Sequence, residues 1–143
     1  MISELVEGDL LTDFIRQLPG KRMSAFEALH LLYSLCRGVE QIHNLNEYHG
    51  DLHSGNIIVS KYGLQHHLKL MDLYLSEGSK REKQRDDIVG LIQIFYEALG
   101  GQKYYAKQPD AIKYICSGLK ISLILKKFKT IAQLRLHIEN MDW

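Results

Sequence analysis

Cysteine and proline are scarce in this chain, neither sign of charge dominates, and no long apolar run is present. The two cysteines, Cys36 and Cys116, are far apart, match no metal-ligand spacing and fall within apolar helical patterns. That argues against a disulfide scaffold, a thiolate metal centre and cysteine catalysis, and for buried reduced thiols in an intracellular setting. Lys plus Arg number 18 against 17 for Asp plus Glu, so bulk charge gives no reason to expect nucleic acid or a membrane surface as partner. Ile121 to Leu125, with a serine inside it, is far too short to span a bilayer. The amino terminus, MISELVEGDL, lacks a basic region followed by an apolar core. The expectation is a cytoplasmic protein.

What is present is enough apolar material for one domain: 143 residues at 45% hydrophobic content bury a core without disulfides or a structural metal. Glu7-Gly8 closes a short extended piece, and Asp9 is placed to cap a helix carrying Leu10, Leu11, Phe14, Ile15 and Leu18. Pro19-Gly20 ends it. Ser24 and Glu27 form a capping box, and Phe26, Leu29, Leu32, Cys36, Val39 and Ile42 mark one face of a long helix to about Asn46. The period then changes. Ile57 to Ser60 and His67 to Asp72 predict a hairpin turning at Lys61-Tyr62-Gly63, and residues 75–86 predict a polar loop with Lys80 to Arg85 solvated. A helix is expected from about Asp86 to Leu99, closed by Gly100-Gly101; another from Pro109 to about Ser117; and a last one from Lys129 or Thr130 to about Met141. The fold class is mainly α (α+β): a helical bundle with one small hairpin.

The chemistry gathers in His49-Gly50-Asp51-Leu52-His53-Ser54-Gly55-Asn56 and in Met71-Asp72-Leu73-Tyr74, with Asp72 sixteen residues after Asn56. A carboxylate, a carboxamide and a second carboxylate suit a phosphate-and-magnesium site, since magnesium takes hard oxygen ligands. Taken singly, each of these residues is most simply structural. A competing grouping is His49, Asp51 and His53 with His66 and His67 as a metal-hydrolase cluster, because alternate strand residues share a face. It leaves Asn56, Asp72 and Asp87 unexplained, and Gly50 and Gly55 argue for a loop.

The order long helix, H-x-D-L-x-x-x-N, hairpin, Asp-Leu-Tyr, loop, then RDDIVGLIQIFYEALGG resembles the carboxy-terminal lobe of the protein-kinase-like superfamily. His43 falls where a histidine precedes the kinase catalytic loop. Glu4 to Leu10 resembles the hinge, and Lys127 to Leu134 the approach to the final helix. HGDLHxGN is closer to small-molecule kinases, such as aminoglycoside or choline phosphotransferases, whereas RDDIVGLIQIFYEALGG is similar to protein kinases of casein-kinase-1 type. The resemblance divides one domain, 1–143, into a hinge-like segment (1–9), two helices (10–46), catalytic loop and hairpin (47–74), a short activation-like loop (75–86) and a helical remainder (87–143).

It also implies roles. ATP and Mg2+ are the expected cofactors. Asp51 takes the acceptor hydroxyl's proton or orients it, and His53 stands where a lysine meets the transferred phosphate. Asn56 and Asp72 hold metal. Ile58 floors the adenine, Glu4 and Val6 pair with its edge through backbone groups, and Asp9 lies near the ribose. His49, Leu73 and Asp87 are supports, with Asp87 tying the catalytic-loop backbone to the following helix.

Other features depart from the family pattern. These residues include no Gly-rich phosphate loop, strand lysine or partner glutamate, which implies negligible activity alone and a lobe-supplying chain or homodimer as partner. Only 14 residues separate Asp72 from Asp87, without Ala-Pro-Glu; Lys127 replaces an arginine, Gly50 the catalytic-loop arginine, and Leu73-Tyr74 the Phe-Gly of Asp-Phe-Gly. Two functions follow: an ATP/Mg-dependent phosphotransferase lobe, or a pseudokinase-like binding module without turnover.

Overall fold

A computed structural model describes residues 9–50, 52–62, 65–70 and 80–141. Among them, strand β1 (Asp9–Leu10) leads into helix α1 (Leu11–Arg16), and a 3-10 turn at Pro19–Lys21 precedes the long helix α2 (Ala25–Asn44). The motif's 3-10 turn (Ser54–Asn56) runs into β2 (Ile57–Tyr62) and β3 (Gln65–Leu70). Helices α3 (Lys80–Ala98), α4 (Gln102–Tyr105), α5 (Asp110–Cys116), α6 (Ile121–Lys127) and α7 (Ile131–Glu139) complete it.

α2 starts where its capping box puts it. The Ser24 hydroxyl accepts from the Glu27 amide at 3.2 Å, and the Glu27 carboxylate accepts from the Ser24 amide at 3.2 Å. The helix ends at Asn44, and two residues on Asn46, with φ of 64°, turns the chain away through the left-handed region that asparagine tolerates better than most residues. The buried positions of α2 include Leu29, Leu32, Leu35, Cys36 and Val39, which join one core with Ile88, Leu91, Ile92 and Phe95 of α3 and Leu134 and Ile138 of α7. Each such side chain contributes roughly 1.5–3 kcal/mol by leaving water. Burial also pushes the Cys36 thiol far above its usual range and that of Cys116 up to about 12, so neither is a nucleophile at neutral pH. Outside the core, Arg135 grips Glu40 with Nε at 2.5 Å and a second nitrogen at 3.2 Å, clamping α7 to α2.

Several boundaries differ from expectation. Asp9 is not a helix cap: Leu10 holds that position without a side-chain hydrogen bond, and Asp9 pairs with Val59 and Leu10 with Ile58 as a third antiparallel strand beside the hairpin. Sheet pairing competes with the cap for Asp9. The hairpin register runs from Ile57↔Leu70 to Tyr62↔Gln65, so the strands run further than expected, with Lys61 and Tyr62 inside β2 and Gln65 and His66 inside β3. α3 begins at Lys80 rather than Asp86, because lysine, arginine, glutamate and glutamine are good helix formers and the charge run is a solvated helix face. The short helices α4 and α6 were not expected. α6 follows a left-handed turn in which Ser117, Gly118 and Leu119 all have positive φ. Among the described residues, no helix is long and apolar enough to cross a membrane.

Candidate functional site

The motif loop is held by one carboxylate. Asp87 is only 1% exposed, yet its Oδ2 accepts from the His49 amide at 2.8 Å and lies 2.9 Å from His43 Nε2, while its Oδ1 accepts from the Gly50 amide at 2.8 Å. A carboxylate only accepts, so His43 carries its proton on Nε2. Three donors on one buried carboxylate replace the water it lost and fix the backbone immediately before Asp51. Gly50 has φ of 90°, a conformation that glycine supplies without strain and that a residue with a side chain would not.

On the far side of Asp51, α3 again sets the backbone. A Cβ built at Gly90 would lie 3.1 Å from the Leu52 carbonyl oxygen, so glycine lets helix and loop approach closely. Ser54 accepts from Thr12 at 3.0 Å and donates to Glu97 at 3.3 Å, joining the 3-10 turn to α1 and α3. His53 is exposed, and its Nδ1 accepts from the Gly55 amide at 3.0 Å, which leaves the neutral ring's proton on Nε2. Beside the loop a cleft of about 220 Å³ opens between Leu52, Asp86, Gln93 and Ile121. A cleft of about 400 Å³ lies elsewhere, over the Glu40–Arg135–Glu139 ion pairs between α2 and α7, and has no connection with the motif.

Of the residues singled out in the sequence, His49, His53, Asp87, Asp9 and Ile58 are described. The first three gather at the motif loop; Asp9 and Ile58 sit in adjacent registers of β1 and β2, just after the Asn56 backbone. Glu4, Val6, Asp51, Asp72 and Leu73 lie outside the described residues, as does the Asn56 side chain. Among the described residues no three His, Cys, Asp or Glu side chains are grouped to hold a metal, and buried His49 is not paired with exposed His53 in such a group. The side chains of His66 and His67 are outside the description.

Sequence reasoning missed Thr12, Ser54, Glu97 and Gln84. Ser54 lies within the motif but was given no role, and Thr12 and Glu97 are polar residues at ordinary surface spacings. Gln84 had a visible signal, one helical turn before Asp87, that the loop assignment of residues 75–86 concealed.

A long helix, a buried aspartate on a second helix that fixes the motif backbone, and a hairpin leaving the motif define a kinase-type lobe. Residues 1–120 match the protein kinase domain, and the chain belongs to that family. It is 25% identical over 88 residues to the serine/threonine-protein kinase pakC of Dictyostelium discoideum, and 27% identical over 88 residues to pakA of the same organism. Each alignment covers 61% of this chain, but only 18% of pakC and 7% of pakA.

Proposed function

We propose that this chain is the carboxy-terminal lobe of a protein-kinase-like phosphotransferase of the HGDLHxGN form, which holds Mg-ATP at the motif and directs its γ-phosphate to a hydroxyl acceptor. The observation that carries this reading is the Asp87 anchor, a helix-borne carboxylate fixing the amides of His49 and Gly50. Phosphoryl transfer asks the protein chiefly for alignment and charge neutralisation, which a pinned loop supplies and a mobile one does not.

In this reading Asp51 accepts or orients the acceptor hydroxyl, and His53 faces the transferred phosphate. Asn56 and Asp72 hold magnesium. Carboxylate and carboxamide oxygens are hard donors that fit the ion, and the neutral amide limits negative charge beside an anionic nucleotide. Magnesium held by these residues would supply positive charge to offset that of the phosphate oxygens. Ile58 floors the adenine, backbone groups of Glu4 and Val6 meet its edge, and Asp9 lies by the ribose; the pairing of Asp9–Leu10 with Val59–Ile58 supports that grouping. His49 and Leu73 are internal supports.

These 143 residues contain no G-x-G-x-x-G, and we assign the phosphate lid to a partner chain, a second copy or further residues of a longer protein. Without a lid the phosphates stay hydrated, so transfer by this chain alone is negligible. Robust Mg-dependent transfer by the purified chain would refute that statement. A second reading, a cytoplasmic pseudokinase-like module that binds without turnover, is favoured by the 14 residues between Asp72 and Asp87 and by Tyr74 at the usual glycine position. Calorimetric titration with Mg-ATP of the wild type beside Asp72→Ala tests the metal assignment. Weaker binding by the variant supports it; equal binding removes it.

A further inference from the structure

The helix that holds the motif by its amide groups also reaches its carbonyl groups. Gln84, one turn before Asp87 on α3, donates from Nε2 to the Glu47 carbonyl at 2.9 Å and reaches the His43 carbonyl at 3.4 Å. His43 belongs to the last turn of α2, whose terminal carbonyls lack helical partners, and its oxygen also accepts from the Asn46 amide at 2.9 Å. Glu47 lies between the left-handed residue Asn46 and buried Tyr48, where an unmatched carbonyl would be costly. Lys80, one turn further back, meets the Glu47 carboxylate at 3.2 Å; both are well exposed, so this pair adds little. Positions 84 and 87 share one face of α3. Gln84 donates hydrogen bonds and Asp87 accepts them, and between them they engage the chain from His43 to Gly50.

We propose that Gln84 is a positioning residue for the loop that carries Asp51. It locks the carbonyl side of residues 43–47, so that the amides of His49 and Gly50 meet Asp87 in a single geometry. Asp87 holds this segment at its two ends, through the His43 ring and the His49 and Gly50 amides, but cannot serve the carbonyls between them; a second hold of opposite polarity engages those. The link to chemistry rests on the phosphotransferase reading, while the clamp itself does not.

The test is amide hydrogen exchange of the intact chain, followed by NMR, in the wild type, Gln84→Met and Gln84→Glu. Methionine keeps the length and loses the donor. Protection of the His49 and Gly50 amides should fall roughly tenfold or more, the scale of one lost buried hydrogen bond, while Ile115 and Leu134 keep theirs. In Gln84→Glu the introduced carboxyl donates only when protonated. Protection at His49 and Gly50 should therefore recover on acidification relative to the wild type, a pH profile that loss of packing does not produce. Unchanged protection in Gln84→Met, or a uniform loss across all helices with no acid recovery in Gln84→Glu, overturns the proposal. A parallel Mg-ATP titration separates the two claims: if the wild type binds no Mg-ATP, the phosphotransferase reading fails while the exchange data still decide the clamp.

Discussion

Asp87 has three donors and almost no water, so its removal costs more than one hydrogen bond. Asp87→Ala leaves the His49 and Gly50 amides buried without an acceptor, and the expected loss is about 3 kcal/mol, read as a lower urea midpoint. A midpoint within experimental error of the wild type would contradict the anchor. His137 offers a pH-dependent counterpart. Burial first, and nearby Lys127 second, lower its pKa below the ordinary 6.5, and its ring stacks on Tyr114 and meets Phe128 edge-on. The unfolded chain therefore binds a proton more readily than the native one. His137 contributes no penalty above pH 6.5, and stability is lost as pH falls from there toward the lowered native value. His137→Phe should flatten that part of a denaturation profile against pH; an unchanged profile would mean that another group sets it.

At the scale of elements, what the sequence revealed depended on whether the signal was local. Ser24 and Glu27 announce the start of α2 because a capping box satisfies its own donors, and Ser24→Ala should lower stability by about 1 kcal/mol in thermal melts. Thr130 caps α7 in the same way, accepting from the Gln133 amide at 3.2 Å. The early start of α3 was illegible because Lys80 to Arg85 carry no apolar period; its tie to the rest of the fold there is Gln84, bonded to a carbonyl 37 residues away. Asp9 misled for a related reason, since sheet pairing with Val59 lies fifty residues off and competes with a local cap. In the site, Asp87 was readable as the residue that meets the backbone at His49 and Gly50, while Asp51, Asp72 and the Asn56 side chain lie outside the described residues. The tie of Ser54 to Thr12 and Glu97 was not readable. Gly90 shows how tightly element and motif are matched: alanine would ordinarily add up to about 1 kcal/mol within a helix, but its Cβ would press on the Leu52 carbonyl. Gly90→Ala should yield no such gain in chemical denaturation; a full gain would show that α3 and the motif have slack.

At the scale of the whole molecule, the motif's 3-10 turn packs with β1 and α1, and Ile57 and Val59 of β2 join the helical core. Leu10 is 37% exposed there and pairs with half-buried Ile58, apolar surface that a nucleotide and its lid would cover. The account therefore predicts association with a lobe-supplying chain or with a second copy, seen as species heavier than the monomer in sedimentation; a strictly monodisperse monomer at high concentration would contradict the self-association route. The central claim is that this face holds a magnesium nucleotide, and the most direct measurement is a titration of the 15N-labelled chain with ATP, with and without Mg2+, read at assigned amides. Magnesium-dependent shifts are predicted in residues 49–59 and at Asp9 and Leu10. No shifts at all, or shifts centred on the groove of Tyr33, Arg37 and Arg135, would contradict it.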